Sequence, residues 1–298
     1  MRISTAQYYR VNAEQMQARQ NKVAESQAKL GSGKQILHPS EDPAKADLIS
    51  RLEAAKELQG VYKKNIDAAE TRLTSEETVL TSMTQIMQRI TELTIQAGND
   101  TLAAADREVI GAEVRAMRDE LLNLSNTQDL NGNYIFSGNK VESPAFVEET
   151  DDDGTVKVKY KGDYGRLELN VSDVRRMTIN TLGPELFSAD DFATLDALVA
   201  DLTTDDGGGI RSALPTLNAI SERLTNSYGT MAGRIVAIET QRAVAEDTEL
   251  RLTELLQRED DLDYATAVTE LTQESVALQA LQASFAKLSQ LSLFNYIR

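Results

Sequence analysis

From Leu52 onward the chain returns to a core-type position every seven residues. Leu52, Gln59, Ile66, Leu73, Leu80, Met87 and Thr94 form one seam, and Ala55, Tyr62, Ala69, Glu76, Met83, Ile90 and Ala97 run beside it. A period of 3.5 sustained this long predicts a single helix with a coiled-coil face. Pro43 suits the first helical position with Asp42 as its cap, and Gly98-Asn99-Asp100 ends the run. At 1.5 Å per residue, about 54 residues make a rod of roughly 80 Å.

A shorter helix follows, with Ile110, Val114, Met117, Leu121 and Leu124 on one face, and stops before the turn signal Asn131-Gly132. A second long helix is predicted after Pro215. Its seam is Leu217, Leu224, Met231, Ile238, Ala245 and Leu252, with mixed companions Ser221, Tyr228, Ile235, Arg242, Glu249 and Leu256. Apolar stripes on three helices are buried only against one another. The expected class is therefore mainly α, an elongated antiparallel helical bundle.

Between 140 and 185 the period changes to two. TVKVKYKG (155–162) and RLELNVS (166–172) alternate, and the acidic turn DDDG precedes the first, which predicts a small antiparallel sheet between the helices. Asp205-Asp206-Gly207-Gly208-Gly209 reads as a flexible loop before a helix. The expected organisation is an N-terminal coiled-coil tail and joint at 1–42, and a helical rod in two parts at 43–140 and 210–263. An inserted β-rich domain takes 141–209, and a C-terminal coiled-coil tail takes 264–298.

The tails carry stripes of unequal width. Tyr9, Met16, Val23 and Leu30 recur every seven residues, but Ala13, Gln20, Gln27 and Lys34 accompany them, so that stripe is thin. Tyr264, Leu271, Leu278 and Phe285 also recur every seven, broadened by Leu281, Leu288, Leu291 and Phe294. Helices of this length are marginal alone in water. Pairing with each other leaves the C-terminal stripe partly uncovered, which predicts self-association; a self-sufficient two-helix hairpin is the alternative.

Between tail and rod lies LGSGKQILHPSEDPAKAD (30–47). Gly31 and Gly33 are expected to end the tail helix, Pro39 disfavours helix just before it, and Pro43 restarts helix, which makes a hinge of about ten residues. The charged run Arg258 to Asp263 marks the second passage from rod to tail, and the two joints should lie side by side.

Charge narrows the choice of partners. The net charge is −16; residues 1–40 carry +4, residues 265–298 carry zero and the middle carries −20. An acidic body argues against nucleic acid, which needs a basic surface. No run approaches the roughly 20 apolar residues of a membrane span, and the first residues lack the apolar core of a cleavable leader. Cysteine and tryptophan are absent, so thiolate chemistry and disulfides are excluded.

Candidate chemistry fails on spacing. Gly33-Lys34 has Ala28 where a phosphate loop needs glycine and Gln35 where it needs serine or threonine. His38 is the sole histidine and sits in a proline-flanked joint. Aligning Glu149, Asp151, Asp153 and Gly154 to a calcium loop puts Tyr160 where the bidentate glutamate belongs. No catalytic residue, metal site or cofactor is expected, and an enzyme built on 141–209 would need a site with no sequence signal.

Four segments resemble the bacterial flagellin superfamily. LGSGKQILHPSEDPAKADL (30–48) is similar to the family's N-terminal joint, MQRITELTIQAGNDT (87–101) to its Leu-Gln-Arg-x-x-Glu-Leu-x-x-Gln helix end, and DLNGNYIFSG (129–138) and LDYATAVTELTQ (262–273) to two further signatures. Within the superfamily, the start MRIST, the Asn-Gly-x-Tyr-Ile-Phe-Ser-Gly run and the end SLFNYIR resemble the hook–filament junction branch; filament flagellin is the alternative. The resemblance implies a secreted, non-enzymatic component of the extracellular bacterial flagellum, exported through the type III apparatus. It implies self-association in a ring, with the preceding hook-associated junction protein and flagellin as neighbours and a cytoplasmic export chaperone on the C-terminal tail. Tyr9, Met16, Val23, Leu30, Leu271, Leu278, Leu281, Phe285, Leu288 and Phe294 would form the assembly interface. Arg89, Glu92 and Leu93 match a flagellin stretch recognised by a vertebrate innate immune receptor, with Thr91 in place of a common arginine.

Overall fold

The computed structural model describes residues 2–150, 155–188 and 190–294, with backbone alone at helix-end positions 2–6, 8 and 288–294. Among the described residues six α-helices and four short strands succeed one another: α1 (Arg2–Ser32), α2 (Pro43–Ala97), α3 (Ala104–Ser125), β1 (Phe146–Thr150), β2 (Val156–Tyr160), β3 (Glu168–Asn170), β4 (Arg176–Thr178), α4 (Asp191–Thr204), α5 (Gly207–Asp260) and α6 (Tyr264–Phe294), with a 3-10 turn at Gly183–Glu185 before α4. The class is mainly α. The chain forms two compact units, residues 59–246 and residues 1–58 with 247–298.

In the 59–246 unit, the predicted seam is the core. Ile66, Leu73, Leu80, Met87 and Thr94, with Ala69, Glu76, Met83, Ile90 and Ala97, are all buried. Leu217, Leu224, Met231, Ile238 and Ala245 face them from α5. The two helices run antiparallel: Gln59 Nε2 donates to Ala245 O (3.3 Å), Arg242 meets Asp67 (2.7 Å), Tyr228 Oη meets Glu77 (3.3 Å) and Arg211 donates to Gly98 O (3.0 Å). Asp42 caps α2 as expected, its Oδ1 accepting the Lys45 N–H at 3.0 Å.

Three expectations need correction. The strand runs at 155–162 and 166–172 do not pair with each other. β2 pairs with Phe146–Thr150 and β3 with Arg176–Thr178, giving two separate antiparallel pairs; the turn at 151–154 lies outside the described residues. Within 141–209 there is also a helix, α4. Phe192, Leu195, Leu198, Val199 and Leu202 give it one buried face, and it packs on α3 where Gly111 permits close approach: a Cβ there would stand 3.2 Å from Leu202 Cβ. Finally, α5 begins at Gly207, so Pro215 lies inside it. Asp206 starts the helix by accepting the Gly208 and Gly209 N–H groups at 3.0 and 3.1 Å. Burial of Ile210 and Leu217 on either side offsets the hydrogen bond the proline cannot make.

Phe146, Tyr160, Phe187 and Phe192 cluster under β1 and β2, with ring centroids 5.0 to 6.3 Å apart. Burial pushes the Tyr160 hydroxyl up to about 12. The core is continuous from this cluster to the α2 seam.

Candidate assembly interface

In the other unit, α1 and α6 pack antiparallel. Tyr9 meets Phe285 edge to face, with centroids 5.5 Å apart. Arg19 and Lys22 both pair with Glu274, the second at 3.9 Å. The two stripes read from the sequence face each other, Tyr9, Met16, Val23 and Leu30 against Leu271, Leu278, Leu281 and Phe285, and every one of them is half-buried. Ala267 is the one buried residue among the described side chains of the two helices. Val268 (51% exposed) and Val276 (59%) point away from the pair. Two helices have too few neighbours to seal a seam, so the pair retains an apolar surface. The side chains of Leu288 and Phe294 lie outside the described residues.

The joints meet as the sequence suggests. Lys34 bridges to Asp261, the Gln35 N–H donates to Asp260 O at 2.7 Å, and the Leu262 N–H donates to Gly33 O at 2.9 Å. Gly31 falls inside α1 and is not part of the joint, whereas Gly33 ends the helix in the left-handed region at φ 73°. A Cβ on Gly33 would stand 3.0 Å from Tyr264 Oη. Pro39 lies in the turn and Pro43 opens α2. The start of α6 is capped by Asp263, which accepts N–H groups from Ala265 and Thr266 at 3.1 and 3.4 Å and the Thr266 hydroxyl at 2.7 Å. These bonds hold the Asp263 carboxyl below its ordinary range, the Thr266 hydroxyl most of all. Its trace in the sequence is an Asp immediately before the first residue of an apolar-periodic run, which is a helix-start signal.

Arg89, Glu92 and Leu93 divide by exposure. Arg89 pairs with Glu113 of α3 (3.1 Å) and with Glu92 (3.6 Å) at the surface. Leu93 is a core residue, 2% exposed, so it offers no side chain to a receptor. Among the described residues, no group of three or more His, Cys, Asp or Glu side chains is arranged to hold a metal ion, and no helix is long and apolar enough to cross a membrane.

Comparison with known proteins agrees with this architecture. Residues 3–141 match the family described as the bacterial flagellin N-terminal helical region. The chain is similar to the flagellar hook-associated protein 3 of Escherichia coli (strain K12), 28% identical with 99% of each chain covered. Flagellin C of Vibrio cholerae is 29% identical, but over 45% of this chain and 34% of its own. The crystal structure of Xanthomonas campestris FlgL superposes with a TM-score of 0.61 at 18% identity, covering 70% of this chain and 99% of that one, which shows a shared fold. Over residues 3–141 the chain is thus similar to the flagellin N-terminal region, and from end to end it is similar to a flagellar hook-associated protein.

Proposed function

We propose that this chain is a structural adaptor of the bacterial flagellum, joining the hook to the flagellin filament outside the cell. The observation that carries the reading is coverage. The hook-associated relative matches from end to end, whereas the flagellin matches over less than half of this chain. The mechanism is packing, and no residue is assigned a catalytic role.

The α1–α6 pair supports this reading because its seam is unfinished. Half-buried Leu271, Leu278, Leu281 and Phe285, with Tyr9, Met16, Val23 and Leu30 opposite, need further apolar cover, and copies of the same chain are the simplest source. Leu288 and Phe294 extend that stripe by sequence pattern. On this reading the copies form a ring between the preceding hook-associated junction protein and the first flagellin. Tail helices of 31 residues, marginal alone, suit export through the type III apparatus and capture of the C-terminal tail by a cytoplasmic chaperone.

Leu281→Asp tests the reading. It should leave far-UV circular dichroism and the unfolding midpoint of the 59–246 unit unchanged, while a bacterium carrying it as its sole copy makes hooks without filaments, because a charge would be buried unpaired in the assembly. Normal filaments on that variant would overturn the assignment.

A further inference from the structure

The run from Gly33 to Asp47 and the acidic run ending at Asp263 have no part in the packing just described, yet they meet at the base of the tail pair. The two main-chain hydrogen bonds between them lie inside a ring of charges. Lys34 Nζ stands 2.9 Å from Asp260 Oδ2, Lys45 Nζ 3.6 Å from Glu259, and Lys29 Nζ 2.8 Å from Glu41 and 2.9 Å from Glu25. Glu41 Oε1 also accepts the main-chain N–H groups of Leu37 (3.3 Å) and His38 (3.1 Å), which fixes the turn. Apolar cover is thin: Ile36 and Leu37 are half-buried, and no residue from 33 to 42 is buried. The α2 seam, with Ile66 to Ala97 closed from water, is held by the opposite means.

We propose that residues 33–42 and 259–263 form a charge-held clasp that opens and closes as one unit, tying the tail helices together at their base and releasing under acid or high salt while the helical bundle stays folded. Hydrophobic burial is indifferent to ionic strength on this scale, whereas exposed ion pairs are screened as the Debye length falls from about 10 Å at 0.1 M to about 3 Å at 1 M. An exposed pair of this kind shifts an opening equilibrium by up to about fivefold.

The direction of the pH response follows from the groups that face one another. The Lys29 ammonium, aided by the two main-chain N–H groups, holds the Glu41 carboxyl below its ordinary 4.5. Glu41 and Glu25 raise Lys29 above 10.5, and Asp260, with Glu53 and Asp261 behind it, does the same for Lys34. A depressed carboxyl contributes stability above its unfolded value that is lost as pH falls through the folded one. A raised lysine contributes below its unfolded value and loses that contribution as pH rises through the folded one. The clasp is therefore at full strength between about 4.5 and 10.5 and weakens outside that range.

Amide hydrogen exchange on the full chain reads the clasp directly, because the Gln35 and Leu262 N–H groups donate the two main-chain hydrogen bonds that cross it. Protection at both should fall together, by about three- to tenfold, between about 0.1 M and 1 M salt, while Leu80 and Ile238 in the bundle stay unchanged. Lys34→Asp should lower both to the same degree, and adding Asp260→Lys to that variant should restore both. The proposal is overturned if the two amides respond separately, if neither salt nor Lys34→Asp moves them, or if the reversed pair fails to restore them.

Discussion

Replacing Glu76 with leucine should stabilise the bundle, and by more at pH 8 than at pH 5. Glu76 occupies a seam position at 0% exposure, among Leu73, Leu80 and Met83. Burial pushes its carboxyl above the ordinary glutamate value, although Thr181, Arg234 and Arg72 are placed to favour the charged form. The Thr181 hydroxyl and main-chain N–H approach the carboxylate, but among the described residues neither of its oxygens has a hydrogen bond of good geometry. A carboxyl raised in the folded state favours folding below its unfolded value, and that contribution is lost as pH rises through the folded value. Within that window each pH unit weakens the wild type by up to about 1.4 kcal/mol, and leucine has no proton to lose. The opposing effect is the loss of a counter-charge. Arg72 keeps Asp129 at 3.5 Å and Ile135 O at 3.0 Å, and Arg234 keeps Asn180 O at 2.9 Å. With those partners retained, the balance favours leucine by about 1–3 kcal/mol at the higher pH. Urea unfolding followed by far-UV circular dichroism, run from about pH 5 to about pH 8, measures it. A loss of about 3–5 kcal/mol would mean the arginines depend on Glu76, and a difference flat across pH would mean the carboxyl does not titrate there. Either result refutes the reasoning.

Three further substitutions probe other elements. Gly33→Val should destabilise the base of the tail pair by about 1–3 kcal/mol, because a β-branched side chain resists φ 73° and its Cβ would press on Tyr264 Oη; Gly33→Asn should lose less, and amide exchange at the end of α1 distinguishes them. Arg107→Ala should cost about 2–4 kcal/mol by urea midpoint, since the buried guanidinium donates to Ala97 O and Asn99 O at 2.9 Å each and pairs with Asp205. Asp42→Ala should cost about 1 kcal/mol, read as earlier fraying of the first turn of α2 in the same exchange experiment.

Much of this structure is legible in the sequence because one physical signal dominates it. A heptad repeated from Ile66 to Ala97 leaves no doubt which face of α2 is buried, and Asp42-Pro43 and Gly98 mark its ends. The tail stripes are equally readable, but their half-burial is not, since it depends on how many helices share the seam. Signals fade where elements are short. FVEET and RMT are too brief for an alternation to stand out, so the strand partners were missed. α4 has only 14 residues, too few turns for a 3.6-residue period to stand out beside the Asp205–Gly209 run that reads as loop. Pro215 looks like a boundary until the buried neighbours that override it are known. The meeting of Lys34 with Asp260 and Asp261 leaves only its charges in the sequence, because main-chain pairing across so long a separation has no local pattern.

The adaptor reading is tested most directly by immunogold electron microscopy of intact flagella, with antibody raised against residues 141–209. A single band of label where hook meets filament is the predicted result. Label along the whole filament would contradict it and identify the chain as a flagellin.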